Sequence, residues 1–514
     1  MLENKKITDG NYDESLAVKC VNGTFVGRKN DGVIAYKGIP FVGKQPVGTL
    51  RWKAPVDVVP DDGVYEAYYN AKIPYQIDNK WQDEPSHVQG EDCLYLNVWK
   101  ADDNGKKKPV MVWIHGGAFE MGSTADPLYD LANFVRENPD VIAVSIAYRV
   151  GAFGFLHLSH LPDGKDYPDA QNLGIMDQMM ALKWIHENIA AFGGDPDNVT
   201  LFGESAGGDS VTVIPLIEGS HKYFRRVIAQ SGTPVLSRTV QQSIDDTNEF
   251  MSMLGCKSVA DLQKVDVGEF VKAIDKAFEM RIGPERDGKY LPLDSYEAYA
   301  NGAAKDIDIL QGCNKDEMNF FVLDNYDVEA FTEMFSKRWA KNSTQLTDEE
   351  KALVESFCKD LKGEKHEQLC RLYDQIWFFA PLFRMSENQT KAGGKSYTYF
   401  FTVEASLPMM KSGHSVELTS VLNHPEMTSF TGRAFDETFS KTMRKMWVQF
   451  AKTGNPSLTA DISPDGKAHE WPLYDLENKY LMIFDEFNIH PEKESQRHIL
   501  DWERCYFLTK YFCI

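Results

Sequence analysis

Long apolar runs are missing from this 514-residue chain: its longest mostly apolar stretches, such as Val141 to Tyr148, fall far short of the ~18 residues that would cross a bilayer. The opening residues, Met1 to Leu16, contain no apolar core of the kind a secretory leader needs, so neither a membrane anchor nor an export signal is expected. Positive charge is also scarce. The 55 Lys and Arg stand against 76 Asp and Glu, a formal net charge of −21, which is the wrong sign for gripping a phosphate backbone, and no nucleic-acid partner is expected. Cysteine is thin: the eight copies (Cys20, Cys93, Cys256, Cys313, Cys358, Cys370, Cys505, Cys513) form no Cys-x-x-Cys pair, and there is no His-Glu-x-x-His. Neither a metal site nor a cofactor is expected. Tandem repeats, low-complexity tracts and long Pro/Gly/Ser linkers are absent, so residues 1–514 read as one domain. What is there is ordinary globular material, 43% hydrophobic and 12% aromatic, enough for a large core.

Short apolar or β-branched runs recur at Val110 to Ile114, Val141 to Tyr148, Val199 to Phe202, Val227 to Ala229, Ile307 to Leu310, Tyr397 to Phe401 and Tyr480 to Phe484. They are apolar throughout rather than alternating, which suits strands buried on both faces of a mostly parallel sheet. Between them lie helical patterns. Met176 to Ala191 places Met176, Met179, Met180, Leu182, Ile185 and Ile189 near a 3.6-residue period, and Phe192-Gly193-Gly194-Asp195-Pro196 supplies a stop. Strand, helix and strand in succession predict an α/β fold with a central sheet flanked by helices. Two stretches, about 235–306 and about 327–385, mix polar and apolar residues in a helix-like way without strong strands. They are expected to be helical insertions over the sheet, of the kind that wall or cover a substrate site.

Directly after Val199 to Phe202 stands Gly203-Glu204-Ser205-Ala206-Gly207-Gly208. This is Gly-x-Ser-x-Gly between a strand and a helix, where a sharp turn presents the serine and larger neighbours would collide with strand and helix. Ser205 is therefore the candidate nucleophile. A serine that attacks an acyl group also needs donors for the oxyanion that forms. The strand at Val110 ends in His115-Gly116-Gly117-Ala118-Phe119, which makes the N–H groups of Gly116 and Gly117 two candidate donors and that of Ala206 the third. Serine also needs a base, and the base a carboxylate, in the chain order Ser, Asp or Glu, His. Twelve histidines compete, and local context favours His414 in Ser412-Gly413-His414-Ser415. The acid falls in Gly312-Cys313-Asn314-Lys315-Asp316-Glu317, at the C-terminal end of a predicted strand, where Asp316 and Glu317 are near-equal candidates by residue type.

These motifs sit in a longer pattern that resembles the type-B carboxylesterases, the α/β-hydrolases that include cholinesterases and bacterial para-nitrobenzyl esterases. It is carried by Tyr36 to Pro55 (YKGIPFVGKQPVGTLRWKAP), Glu91 to Trp99 (EDCLYLNVW), Ala147 to Leu156, Asn172 to Gly208, Ala229 to Gly232, Gly413 to Leu418 and Trp447 to Ser457. The resemblance implies an α/β-hydrolase fold with helical insertions over the active site. It implies hydrolysis of small to medium carboxylic esters through an acyl-enzyme, with a small-molecule ester and water as partners, and leaves the oligomeric state open. It assigns Ser205, His414 and, over Asp316, Glu317 as the triad, Gly116, Gly117 and Ala206 as the oxyanion hole, and Glu204 as a supporting carboxylate. Phe278 and Met280 fall near acyl-pocket positions, and Trp81 is a further pocket candidate although it does not align with the family's cation-binding tryptophan.

The chain also departs from the family. Ile73 stands where secreted relatives carry the disulfide partner of Cys93, and Cys256 has no partner near Lys264, so a reducing, cytoplasmic and bacterial setting is expected. The same triad also serves amide, carbamate and lipid-ester hydrolysis, and the same fold serves non-catalytic adhesion modules. The presence of Ser205, Glu317 and His414 together speaks for an enzyme.

Overall fold

The apolar run at Val110 becomes the strand Lys108–Ile114, and those at Val141 and Val199 become Ile142–Ile146 and Gly194–Glu204. Lys108–Ile114 pairs in parallel with both others. Val110, Val112, Ile114, Val144, Leu201 and Phe202 are fully buried, each contributing about 1.5 to 3 kcal/mol by leaving water. The computed structural model describes residues 3–76, 88–277, 282–325 and 327–511, and the chain divides into two compact units, residues 1–225 with 236–293 and residues 226–235 with 294–514.

In the first unit the parallel trio continues through antiparallel neighbours: Ile142–Ile146 pairs with Tyr95–Ala101, which pairs with Val33–Pro40 and then the short Arg28–Asn30. A separate four-stranded sheet near the N-terminus is built from Lys6–Ile7, Val64–Glu66, Gly23–Val26 and Ala17–Cys20. The registers set up the chemistry. Gly203 is level with Ile114, so the segments that follow the two strands leave the same edge side by side. The expected helix is present as Leu173–Asn188, three residues earlier than its apolar period suggested, followed by a tight turn Ile189–Phe192 that Gly193 closes at φ 93°. Its buried face carries Ile175, Gln178, Leu182 and Ile185, while Met176, Met179 and Met180 are only half-buried.

In the second unit Arg226–Gln230, Asp308–Asn314, Ser396–Phe401 and Tyr480–Asp485 run in parallel order, and Asn488–Lys493 closes the edge antiparallel. Asn314 is level with Phe401, so the loops that follow these strands also share one edge.

The two stretches read as insertions are helical. The first contains Val240–Met253, Val259–Leu262, Val267–Ala277 and Ser295–Ala300, with a two-residue pairing of Arg238–Thr239 and Glu285–Arg286 too short to show in the sequence. The second contains Val328–Asn342, Asp348–Asp360 and Lys365–Tyr373, and its helices share a hydrophobic cluster with Phe400, Leu481 and Ile483 of the strands. The chain then widens into a π-helical turn, Asp374–Phe379, before Ala380–Lys391. Pro381 accounts for that turn: it brings no N–H, and its ring crowds the carbonyl a turn earlier, so wider pairing relieves the clash. Among the described residues no helix is long and apolar enough to cross a membrane.

Candidate active site

Ser205 occupies the turn between Gly194–Glu204 and the fully buried helix Ala206–Val213, at φ 57° and ψ −124°, a backbone region L-residues rarely adopt. The flanking glycines are there for space. A Cβ on Gly207 would lie 2.0 Å from the carbonyl oxygen of Ile114, and one on Gly203 would meet Gly207 at 2.6 Å. The loop after Ile114 comes up against the serine: a Cβ on Gly116 would be 3.1 Å from Ser205 Cβ, 2.8 Å from the Glu204 carbonyl and 3.2 Å from Glu204 Oε2. Glu204 is buried beneath that loop. Among the described residues the N–H groups of Gly116, Gly117 and Ala206 donate to no protein acceptor.

His115 shapes this loop. Its ring is fully buried, stacks on Tyr148 with centroids 4.3 Å apart, and holds Nδ1 2.9 Å from the Gly116 carbonyl. A carbonyl can only accept, so Nδ1 carries the proton. Burial pushes the ring's pKa down to about 4, which keeps it neutral. Tyr148 Oη donates to the His115 carbonyl at 2.8 Å. Ala118 and Phe119 follow at φ 55° and 63°, and Gly117 at φ 106°, so the loop turns back sharply enough for Glu120 and Met121 to donate to the Gly117 carbonyl.

The second unit brings together Glu317 and His414. His414 Nδ1 lies 2.6 Å from Glu317 Oε2, and the His414 N–H donates to the Glu317 carbonyl at 3.1 Å. Glu317 has no exposed surface, and its other oxygen accepts the Ser231 hydroxyl and the Asn314 N–H, both at 2.6 Å. Both oxygens of this carboxylate are thus engaged, which fixes its orientation. Asp316, the neighbour that residue type could not separate from it, turns elsewhere: its carboxylate pairs with Arg371 and accepts the Ser412 N–H at 3.3 Å. Phe320, Phe321 and Phe378 surround the His414 ring at centroid distances of 5.9, 5.5 and 5.4 Å. Phe378 comes from the π-helical turn. Beneath the loop, Glu417 accepts Gln230 Nε2 at 3.0 Å and Asn314 Nδ2 at 2.7 Å, and the same Asn314 amide holds the Gly413 carbonyl at 2.8 Å.

Ser231, Asn314 and Glu417 were missed as supporting residues by residue-level reasoning. Ser231 and Glu417 lie inside stretches that carry the resemblance and Asn314 inside the Gly312 to Glu317 motif, yet none has a spacing that betrays a contact closed only by the fold. Ser205, Glu204, Gly116, Gly117 and Ala206 meet in the first unit, and Glu317 and His414 in the second. Trp81, Phe278 and Met280 lie outside the described residues.

A strand, a strained serine turn and a buried helix in the first unit, with a carboxylate and a histidine on strand-end loops in the second, define the class: this is an α/β-hydrolase fold. Comparison with known proteins narrows it. The carboxylesterase family profile matches residues 14–504. The para-nitrobenzyl esterase of Bacillus subtilis (strain 168) is 34% identical over 92% of this chain and 96% of its own length. The cholinesterase of Mus musculus is 31% identical over 93% of this chain and 83% of its own. Among solved structures, a Geobacillus stearothermophilus carboxylesterase superposes with a TM-score of 0.82 at 32% identity, covering 94% of this chain and 99% of that one. The chain belongs to the carboxylesterase family and is a carboxylic ester hydrolase.

Proposed function

We propose that this esterase works through a covalent acyl-enzyme, with Ser205 as nucleophile, His414 as base and then acid, and Glu317 as the carboxylate that orients His414. The observation that carries this reading is the 2.6 Å contact between Glu317 and His414 Nδ1. A carboxylate on Nδ1 holds the proton there and leaves Nε2 as the acceptor that a serine hydroxyl requires. Ser205 Oγ bonds to the acyl carbon as its proton passes to His414 Nε2. The oxyanion is met by the N–H groups of Gly116, Gly117 and Ala206, which supply about 3 to 4 kcal/mol per donor in sites of this type. As the ester C–O bond breaks, His414 returns the proton to the leaving alcohol. Water then repeats the attack on the acyl-enzyme, with His414 again as base.

The substrates in this reading are small to medium esters in a reducing, cytoplasmic setting. The size preference rests on the family resemblance at Phe278 and Met280. The compartment is supported by the seven described cysteines, all of which are thiols. The test is hydrolysis of para-nitrophenyl esters of graded acyl length by the native chain and by Ser205→Ala. The variant is expected to lose several orders of magnitude in kcat with its fold intact, because triad members act as a unit. An organophosphate is expected to label Ser205 stoichiometrically. Hydrolysis undiminished in Ser205→Ala would overturn the assignment.

A further inference from the structure

The first unit holds a second hydroxyl, imidazole and carboxylate in a line, away from Ser205 in the chain. After Phe155 the chain runs Leu156-His157-Leu158-Ser159-His160. His157 Nδ1 lies 2.6 Å from Glu285 Oε2, and His157 Nε2 lies 3.0 Å from Ser159 Oγ. The connectivity is the one a nucleophilic serine needs: carboxylate on Nδ1, hydroxyl on Nε2.

The framework around this line is fixed. Glu285 is 1% exposed, and Asn172 clamps its backbone from both sides, donating Nδ2 to the Glu285 carbonyl and accepting its N–H, each at 2.9 Å. The His157 N–H is tied to Thr247 Oγ1 at 2.9 Å, and His160 folds its Nδ1 back onto the His157 carbonyl at 2.7 Å. Ser159 itself is exposed, on a turn closed by the Leu161 N–H and the Leu158 carbonyl at 3.1 Å. A buried carboxylate is already satisfied by His157, so an exposed serine at Nε2 adds little to stability and leaves a hydrogen-bonded hydroxyl open to solvent. Among the described residues the N–H groups of Ser159 and His160 donate to no protein acceptor, so two amides lie next to that hydroxyl along the chain.

We propose that Ser159 is a second nucleophilic serine, activated by His157 and Glu285, that takes acyl groups from small activated aryl esters. Ser159 Oγ bonds to the acyl carbon while its proton moves to His157 Nε2. The carbon–oxygen bond to the aryl group breaks, and the departing phenoxide takes the proton from His157. The exposed turn gives no enclosure to select an acyl chain, so the reaction is slow, unselective and confined to good leaving groups.

The experiment uses full-length Ser205→Ala protein incubated with para-nitrophenyl acetate and, separately, with a fluorophosphonate, with adducts located by peptide mass spectrometry. The expected result is an adduct on the peptide containing Ser159, absent from Ser205→Ala/Ser159→Ala and slowed about tenfold or more by a further His157→Gln. Because His157→Gln leaves the buried Glu285 carboxylate without its imidazole partner, the labelling rate of Ser159 is also measured in Glu285→Gln, which keeps the side-chain shape and presents an amide to His157 Nδ1, and it is expected to fall there as well. No adduct on Ser159, or a Ser159 adduct formed at a rate indifferent to whichever of His157→Gln and Glu285→Gln folds, overturns the proposal. Mapping the adduct to a residue keeps this outcome separate from a failure of the Ser205 reading, which residual turnover without Ser159 labelling would reveal.

Discussion

Two adjacent carboxylates, Asp316 and Glu317, look alike in the sequence and do different work in the fold. Each is buried, with 1% and 0% of its surface exposed, so neither is a solvated bystander. Glu317 gives one oxygen to His414 and the other to Ser231 and Asn314, whereas Asp316 is spent on Arg371 and the Ser412 N–H. The pair of conservative amides separates these roles. Glu317→Gln keeps the shape but presents an amide to His414 Nδ1, favouring the wrong tautomer, and kcat is expected to drop about 10³- to 10⁴-fold with little change in KM. Asp316→Asn is expected to keep kcat within about tenfold while lowering the unfolding free energy by about 1 to 3 kcal/mol, since Arg371 is partly solvated and retains Asp374 at 3.2 Å. Steady-state kinetics and urea unfolding on both variants check this. A larger kinetic loss in Asp316→Asn than in Glu317→Gln would exchange their assignments.

At the scale of elements, the informative unit is the loop from His115 to Gly122 rather than any single glycine. Its backbone passes through three successive left-handed residues, Gly117, Ala118 and Phe119, and is held in that path by a neutral imidazole under it. That makes the loop pH-sensitive in a definite direction. His115 titrates near 6.5 in an unfolded chain and near 4 in the folded one, so between those values the unfolded chain binds a proton that the folded chain refuses. The depressed imidazole therefore withdraws stability as pH falls through this window, by about 3 kcal/mol in full. Unfolding free energies at about pH 7 and about pH 4.5 are expected to differ by less in His115→Asn, which has nothing to titrate, than in the native chain. Equal pH slopes would mean that the ring is protonated in the folded state. Elements were also where the sequence was most and least readable. All seven apolar runs became strands, because a strand buried on both faces leaves an unbroken apolar trace. The antiparallel strands Val33–Pro40 and Tyr95–Ala101 left none, since Lys37, Gly38, Asn97 and Lys100 interrupt them. The helix Leu173–Asn188 was displaced from its reading because Gln178 and Asp177 are buried through polar partners, Ser210 and Arg149, that no periodicity records. The triad candidates and the candidate oxyanion donors, Gly116 and Gly117, stood out because their motifs are local. Their supports, Ser231 for Glu317 and Asn314 for the Gly413 loop, were illegible because those contacts span 86 and 99 residues.

Over the whole molecule, the scarcity of cysteine carries a prediction of its own. Two features of the sequence deny the family's disulfides a partner, Ile73 opposite Cys93 and the lack of a cysteine near Lys264 opposite Cys256, and the seven described cysteines are thiols. Cys93 is 1% exposed and Ile73 9%, so the position is filled by ordinary apolar packing. Thiol reactivity requires the thiolate, and burial suppresses it: the Cys20 thiol is pushed up to about 12, and Cys93, Cys313, Cys370 and Cys505 are raised as well. Cys256 and Cys358 are only partly buried. A chromogenic disulfide reagent at neutral pH is therefore expected to modify Cys256 and Cys358 in the folded chain well before the five buried cysteines. In protein purified without reductant and then denatured, all eight cysteines of the sequence are expected to titrate. A denatured count of six, with Cys93 or Cys256 recovered in a disulfide-linked peptide, would show that the chain closes a loop in another way and would withdraw the support its thiols lend to a reducing compartment. A full count with Cys20 or Cys93 reacting as fast as Cys256 would instead mean that the first unit opens far more readily than its packing implies, since these two side chains reach solvent only when the strands and loops around them part.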